Sequence, residues 1–166
     1  MAGFDYIRVV DAVVSVLEAA NTSTSNVYLS LSMSTAVVTI KDADPEVINL
    51  AQLKLPGIFV RIADKQSEFG SLGETGPTGN KREADLDIEI IGIVRKTGIL
   101  NSHRNLLRDA YKLAQNIESV IEKNMTLSGT ALWCNPGDTT FSVPVGNDSV
   151  VMKACLIKVR SHHLYR

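Results

Sequence analysis

Aromatic side chains make up only 5% of this 166-residue sequence, and cysteine occurs just twice. Both cysteines, Cys134 and Cys155, lie in apolar runs ("TALWC", "MKACLIKV"). They read as free core thiols of a reducing compartment, and no disulfide framework is supported. A dominant charge sign is also missing: 17 basic residues face 18 acidic ones, for a net charge of -1. That balance argues against a dedicated nucleic-acid binder, whose phosphate contacts would require a basic excess. No apolar run approaches the roughly 20 residues needed to span a bilayer. The beginning, "MAGFDYIRVVDAV", places Asp5 and Asp11 where a signal peptide would have a basic segment and then continuous apolar residues. A soluble, cytoplasmic protein is therefore expected, with 45% hydrophobic residues filling the core of a single domain over residues 1–166.

Periodicity supplies the elements. Tyr6, Ile7, Val10, Val13, Val14 and Leu17 recur at helical spacing and end at the polar cluster "NTSTSN". The stretch "VYLSLSMSTAVVTI" reads as one or two strands. Asp44 and Pro45 are a cap and first-position pair for a short helix or 3₁₀ turn. Strands follow at "IFVRIAD" and "DLDIEIIGIVRK". A long helix over residues 101–124 has Leu106, Leu107, Ala110, Tyr111, Ala114, Ile117, Val120 and Ile121 on one stripe, with Lys123 near its C-terminus. The remainder is β-rich: "TALWC", a turn at "NPGD", "TFSVPV" pushed towards a sheet edge by Pro144, a turn at "GND", and a long strand "SVVMKACLIKVRSHHLY". Residues 148–166 carry one acid against Lys153, Lys158, Arg160 and Arg166, with His162 and His163, and read as a solvated basic edge. The expected class is α+β: a mixed, mostly antiparallel sheet with two main helices packed on one face, and a long hairpin with an extended loop.

That loop, "EFGSLGETGPTGNKREAD", has glycines at 70, 73, 76 and 79. It fails as a phosphate loop because Asn80 separates Gly79 from Lys81 and because a strand, not a helix, follows. A few G-X-Y triplets cannot hold a triple helix. The flanking strands instead fit an antiparallel hairpin in which paired positions sum to 150. Ile58, Val60 and Ile62 then share an apolar face with Ile88 and Ile90, Arg61 opposes Glu89, and Lys65 opposes Asp85. Phe59, Ile91 and Ile93 make the second face apolar at the hairpin base, so the base is covered and the tip, at about 66–84, protrudes as a flexible loop. Long loops in compact domains are usually functional. The candidate partner-binding residues are Lys65, Glu68, Phe69, Leu72, Glu74, Lys81 and Arg82.

Other constellations point nowhere catalytic. Asp85, Asp87 and Glu89 line one strand face but span too far to converge on one ion. His162 and His163 are adjacent on a strand and point to opposite faces, so they cannot share a metal. His103, in a first helical turn, reads as solvated. There is no G-x-S-x-G and no Cys placed with a plausible His. Trp133 and Tyr111 read as core or interface. No catalytic residue, metal or cofactor is assigned.

The order of elements resembles the tail terminator (tail completion) family of siphophages. "LPGIFVRIADKQSEF" is similar to that family's strand entered at a proline and leaving into a charged loop, and "DLDIEIIGIV" to its next strand. "IEKNMTLSGTA" resembles the end of its long helix with a Leu-small-Gly step, and "ACLIKVRSHHLY" its closing strand. The likeness covers the first helix and most of the chain from Leu55 onward. It implies a non-enzymatic virion protein, assembled in the bacterial cytoplasm, that forms a ring, a hexamer in the family, at the head-proximal end of the tail. Its implied partners are copies of itself, the major tail tube protein and a head-completion protein, with DNA passing through the lumen without specific binding. Another neck or tail-tube component of the same fold is the nearest alternative. A small α+β enzyme or ligand-binding module is the alternative from a different class.

Overall fold

The computed structural model describes residues 4–21, 37–45, 54–69, 82–97, 102–146 and 150–165. Six strands form one sheet: β1 (Thr39–Asp42), β2 (Gly57–Phe69), β3 (Arg82–Thr97), β4 (Trp133–Phe141), β5 (Val145–Gly146) and β6 (Val150–Tyr165). Among the described residues two α-helices, α1 (Tyr6–Ala20) and α2 (Ser102–Lys123), accompany the sheet in an α+β architecture. The strand order is β1-β2-β3-β6-β4, with β5 also on β6. Only β1 and β2 run parallel; the other pairs are antiparallel. β3 occupies one side of β6 along its whole length, so β4 and β5 share the other.

Alternation along the strands decides which side is covered. Ile58, Val60, Leu86, Ile88, Ile90, Cys155, Ile157 and Val159 join the buried residues of both helices in one cluster. Removing such side chains from water contributes about 1.5–3 kcal/mol each, enough to hold a domain of this size without cross-links. α1 lies over β1 and β2, and α2 over β3, β6 and β4. Gly92 lets α2 descend onto the sheet: a Cβ there would stand 2.7 Å from both Leu113 Cδ2 and Cys155 Sγ. At the hairpin base the other face is apolar as read, with Phe59 and Ile93 buried.

Helix ends follow local chemistry. Asp5 caps α1 by accepting from the Arg8 N–H at 3.0 Å, filling a donor the helix leaves open. Beyond α2, Leu127, Ser128 and Gly129 all have positive φ (46°, 57° and 86°). Left-handed backbone costs a non-glycine residue about 1–2 kcal/mol. Leu127 buries its side chain completely, which offsets a cost of that size. The turn is also tied by N–H bonds from Leu127 to Asn124 and from Gly129 and Ala131 to Thr126. This is the Leu-small-Gly step seen in the sequence.

Several expectations are corrected. The core stripe of α1 is Val9, Val13, Val16, Leu17 and Ala20, while Tyr6 and Ile7 are exposed. So many valines surround α1 that composition leaves its rotation undecided. On α2, Tyr111 leaves the core stripe and Leu113 joins it. "NPGD" is no turn: β4 runs through it, with a register irregularity between Pro136 and Thr139. The loop is shorter than 66–84, because β2 and β3 pair as far as Phe69 opposite Arg82. The basic edge is partly internal, since Lys153 and His163 are buried. Of the one or two strands expected over 27–40, residues 27–36 lie outside the described residues and the end is described as the approach to β1 and its first residues; the helix expected after Pro45 lies outside the described residues. No described helix is long and apolar enough to cross a membrane.

Candidate interaction surface

The hairpin stem organises the polar face of the sheet. From Gly57–Ile93 to Ile62–Ile88 the paired positions sum to 150, as read from the sequence. A bulge at Ala63 then adds one residue to β2, and the pairs continue as Asp64–Asp87, Lys65–Leu86 and Gln66–Asp85. A bulge inserts a residue and turns those that follow. Lys65 therefore does not meet Asp85, and the expected charge pair is absent. Its backbone faces Leu86, on the helix-covered side.

There its ammonium sits over three rings, 4.7 Å from the centroid of Phe4, 5.1 Å from Tyr165 and 5.3 Å from Tyr6. Phe4 packs edge-to-face on Tyr6, Tyr165 and His163. A cation over ring faces is attracted by the ring quadrupoles. Lys65 thus ties the start of α1 and the end of β6 to the hairpin stem.

Asp85, Asp87 and Glu89 share the opposite face, and each meets a cation from a neighbouring strand. Glu89 accepts from Arg61 Nε at 2.8 Å, and Arg61 Nη1 also reaches Asp44 at 2.9 Å. Asp85 accepts from His162 Nδ1 at 2.5 Å and lies 3.7 Å from Arg160. Arg160 also stands 4.0 Å from Asp87, and His162 Nε2 stands 3.8 Å from Glu83. Trp133 stacks on the His162 ring with 5.7 Å between centroids. Gln66, Glu83, Ala84, Asp85 and His162 line a cleft of about 80 Å³. That is far below the roughly 300–1,000 Å³ of small-molecule sites.

His162 and His163 do point to opposite faces. His163 Nδ1–H donates to the Thr130 carbonyl at 3.0 Å, leaving Nε2 to accept from Ser161 Oγ at 2.8 Å. A serine two residues before a histidine on a strand shares its face, a signal present in "SHH" that motif reading passed over. Both side chains are fully buried, so the pair is a satisfied core network without access to substrate. Burial lowers the His163 pKa below its ordinary value. Burial also pushes both Cys134 and Cys155 up to about 12, which leaves them unreactive thiols.

Of the candidate partner residues, Glu68, Phe69 and Arg82 are placed by their backbones at the end of the paired stem, Glu68 opposite Glu83 and Phe69 opposite Arg82. Leu72, Glu74 and Lys81 lie outside the described residues. The sequence reading also missed an apolar margin. Phe141, Val143 and Val145 are exposed along β4 and β5, and Tyr111 of α2 packs edge-to-face on Phe141 at 4.9 Å. No protein-family model matches the chain, and no curated protein is significantly similar to it.

Proposed function

We propose that this chain is a non-enzymatic virion assembly subunit of the siphophage tail-terminator type. It forms a ring on the head-proximal end of the tail tube, ends tube polymerisation and offers the surface on which the head-completion protein docks. DNA passes through the lumen without specific binding. One observation carries the reading: the hairpin stem is pinned at its base by Arg61, Glu89 and Asp44 and stays paired out to Phe69 opposite Arg82. Residues 70–81 are thereby delivered from a stiff support, as a docking element requires. The near-neutral net charge suits a conduit that must not hold its cargo.

The test is deletion of residues 71–80. The shortened subunit should fold and form its ring but leave purified tail-tube protein polymerising to unlimited length, where the full chain caps it. Tubes of normal, bounded length with the deletion variant would overturn the docking role. Incorporation of the chain along the tube, seen by labelling, would make it a tube component of the same fold.

A further inference from the structure

Two exposed stripes of opposite charge lie at opposite ends of the helix layer. On α2, Arg104, Arg108, Tyr111 and Gln115 follow at i, i+4, i+7 and i+11 and are all exposed. Their direction is fixed by contacts further along the same stripe: Tyr111 packs on Phe141, and Glu118 accepts from the Thr139 hydroxyl. The basic stripe therefore borders the β4 edge, beside exposed Phe141, Val143 (79% exposed) and Val145 (65%). Exposed apolar residues are ordinary singly, but here the Tyr111–Phe141 ring pair is followed in the chain by exposed Val143 and Val145 along the same margin. Sheet edges are usually blunted by proline and bulges. Pro136 and the bulge after it do this for the first half of β4, and Thr139–Phe141 lack such protection.

At the other end, α1 lies over β1 and β2. Its exposed stripe is Ile7 (73% exposed), Asp11, Ser15 and Glu18, and exposed Val38 leads into β1. Here the apolar residues are flanked by the acids Asp11 and Glu18, with exposed Arg8 next to Ile7 as the one base on this surface of α1. Among the described residues, no salt bridge within the chain engages Arg104, Arg108, Asp11 or Glu18.

We infer that the α2/β4 flank of one copy docks on the α1/β1 flank of the next, with Arg104 and Arg108 facing Asp11 and Glu18 and the apolar residues of both flanks at the centre. The occupant is a second copy of this chain because the chain itself carries the complementary patch. Two different patches at opposite ends define a head-to-tail contact, which repeats and closes into a ring if the rotation permits. The inference rests on the ring-forming reading above and assigns its subunit interface.

Charge reversal tests it, with native mass as the readout. R104E/R108E should lower subunit affinity by about 100-fold or more and yield monomers, because juxtaposed like charges cost several kcal/mol. D11K/E18K should do the same. An equimolar mixture of the two variants should reassemble, since every contact then has an opposite-charge match available. Circular dichroism and melting temperature establish that each variant is folded. An unchanged oligomer in either folded variant would overturn the interface while leaving the ring intact. A mixture that stays monomeric would overturn the pairing of these two flanks. A wild-type chain monomeric at every concentration and with tail tubes would overturn the ring reading and this inference together. If R104E/R108E keeps the oligomer but loses retention on duplex DNA, the basic stripe belongs to DNA and the interface is refuted.

Discussion

Arg61 donates to Glu89 across the β2–β3 ladder, 2.8 Å from Nε to Oε2, one pair before the bulge that ends the simple register. The same guanidinium reaches Asp44 at 2.9 Å, so it closes the hairpin and also tethers the segment after β1. Exposed pairs contribute about 0.2–1 kcal/mol. This one is partly buried, with Glu89 more covered than Arg61, and a coupling near the upper end of that range is expected. A double-mutant cycle with Arg61→Ala and Glu89→Ala, read by urea unfolding, measures it. Arg61→Glu with Glu89→Arg should recover only part of the loss, because the new glutamate would stand beside Asp44. Additive single effects would mean that the pair contributes nothing.

Replacing Lys65 separates the cage from the stem. Lys65→Met keeps the aliphatic reach and removes the charge over Phe4, Tyr6 and Tyr165, for a loss of about 1–2 kcal/mol. Lys65→Arg, which keeps a cation over the rings, should lose less. Equal losses for the two variants would show that packing rather than charge holds the cage.

Gly92 is a packing test. The alanine Cβ in Gly92→Ala would meet Leu113 and Cys155 at 2.7 Å, a clash that α2 relieves by lifting from the sheet. Overpacking of this kind costs about 1–3 kcal/mol. Leu113→Val in the same chain should return part of it, and the midpoint of chemical unfolding reads both. A Gly92→Ala variant as stable as wild type would contradict the close approach of α2 to β3.

Acid should weaken the fold partly through His163. Burial depresses its native pKa, so below the ordinary histidine value of about 6.5 the unfolded chain binds a proton that the native chain refuses. Stability from this group is complete above that value and is lost as pH falls towards and through the native pKa. His163→Gln should cost stability at pH 7.5 through the Ser161 and Thr130 bonds, yet show a shallower decline of stability between pH 7 and 5. An identical decline in both proteins would place the acid sensitivity elsewhere.

The hairpin was legible because "VRI" and "DLDIEI" alternate, and a one-residue slip would turn one apolar set to the other side of the sheet. Past Ile62 the run "ADKQSEF" lacks apolar residues at alternate positions, so nothing in it marks the bulge at Ala63 or the rotation of Lys65 onto the helix side. "NPGD" has the local chemistry of a turn, and pairing with β6 overrides it. α2 showed its face because polar residues interrupt it regularly; α1, valine-rich on most sides, did not. The Arg61–Glu89 contact was readable from spacing. The Phe4–Tyr165 cage was not, since it joins residues far apart in sequence whose meeting depends on the completed sheet.

The order in which the strands are made has its own consequence. β4 and β5 precede β6 in the chain, yet among the described residues their strand pairing is to β6 alone, and β3 also needs β6 to fill its second side. While residues 150–165 are still inside the ribosome, β3 has an open edge and β4 and β5 have no strand partner. The β4 margin takes its folded shape only when β6 lies between β3 and β4, and until then the unpaired edge of β3 is open to association with other chains.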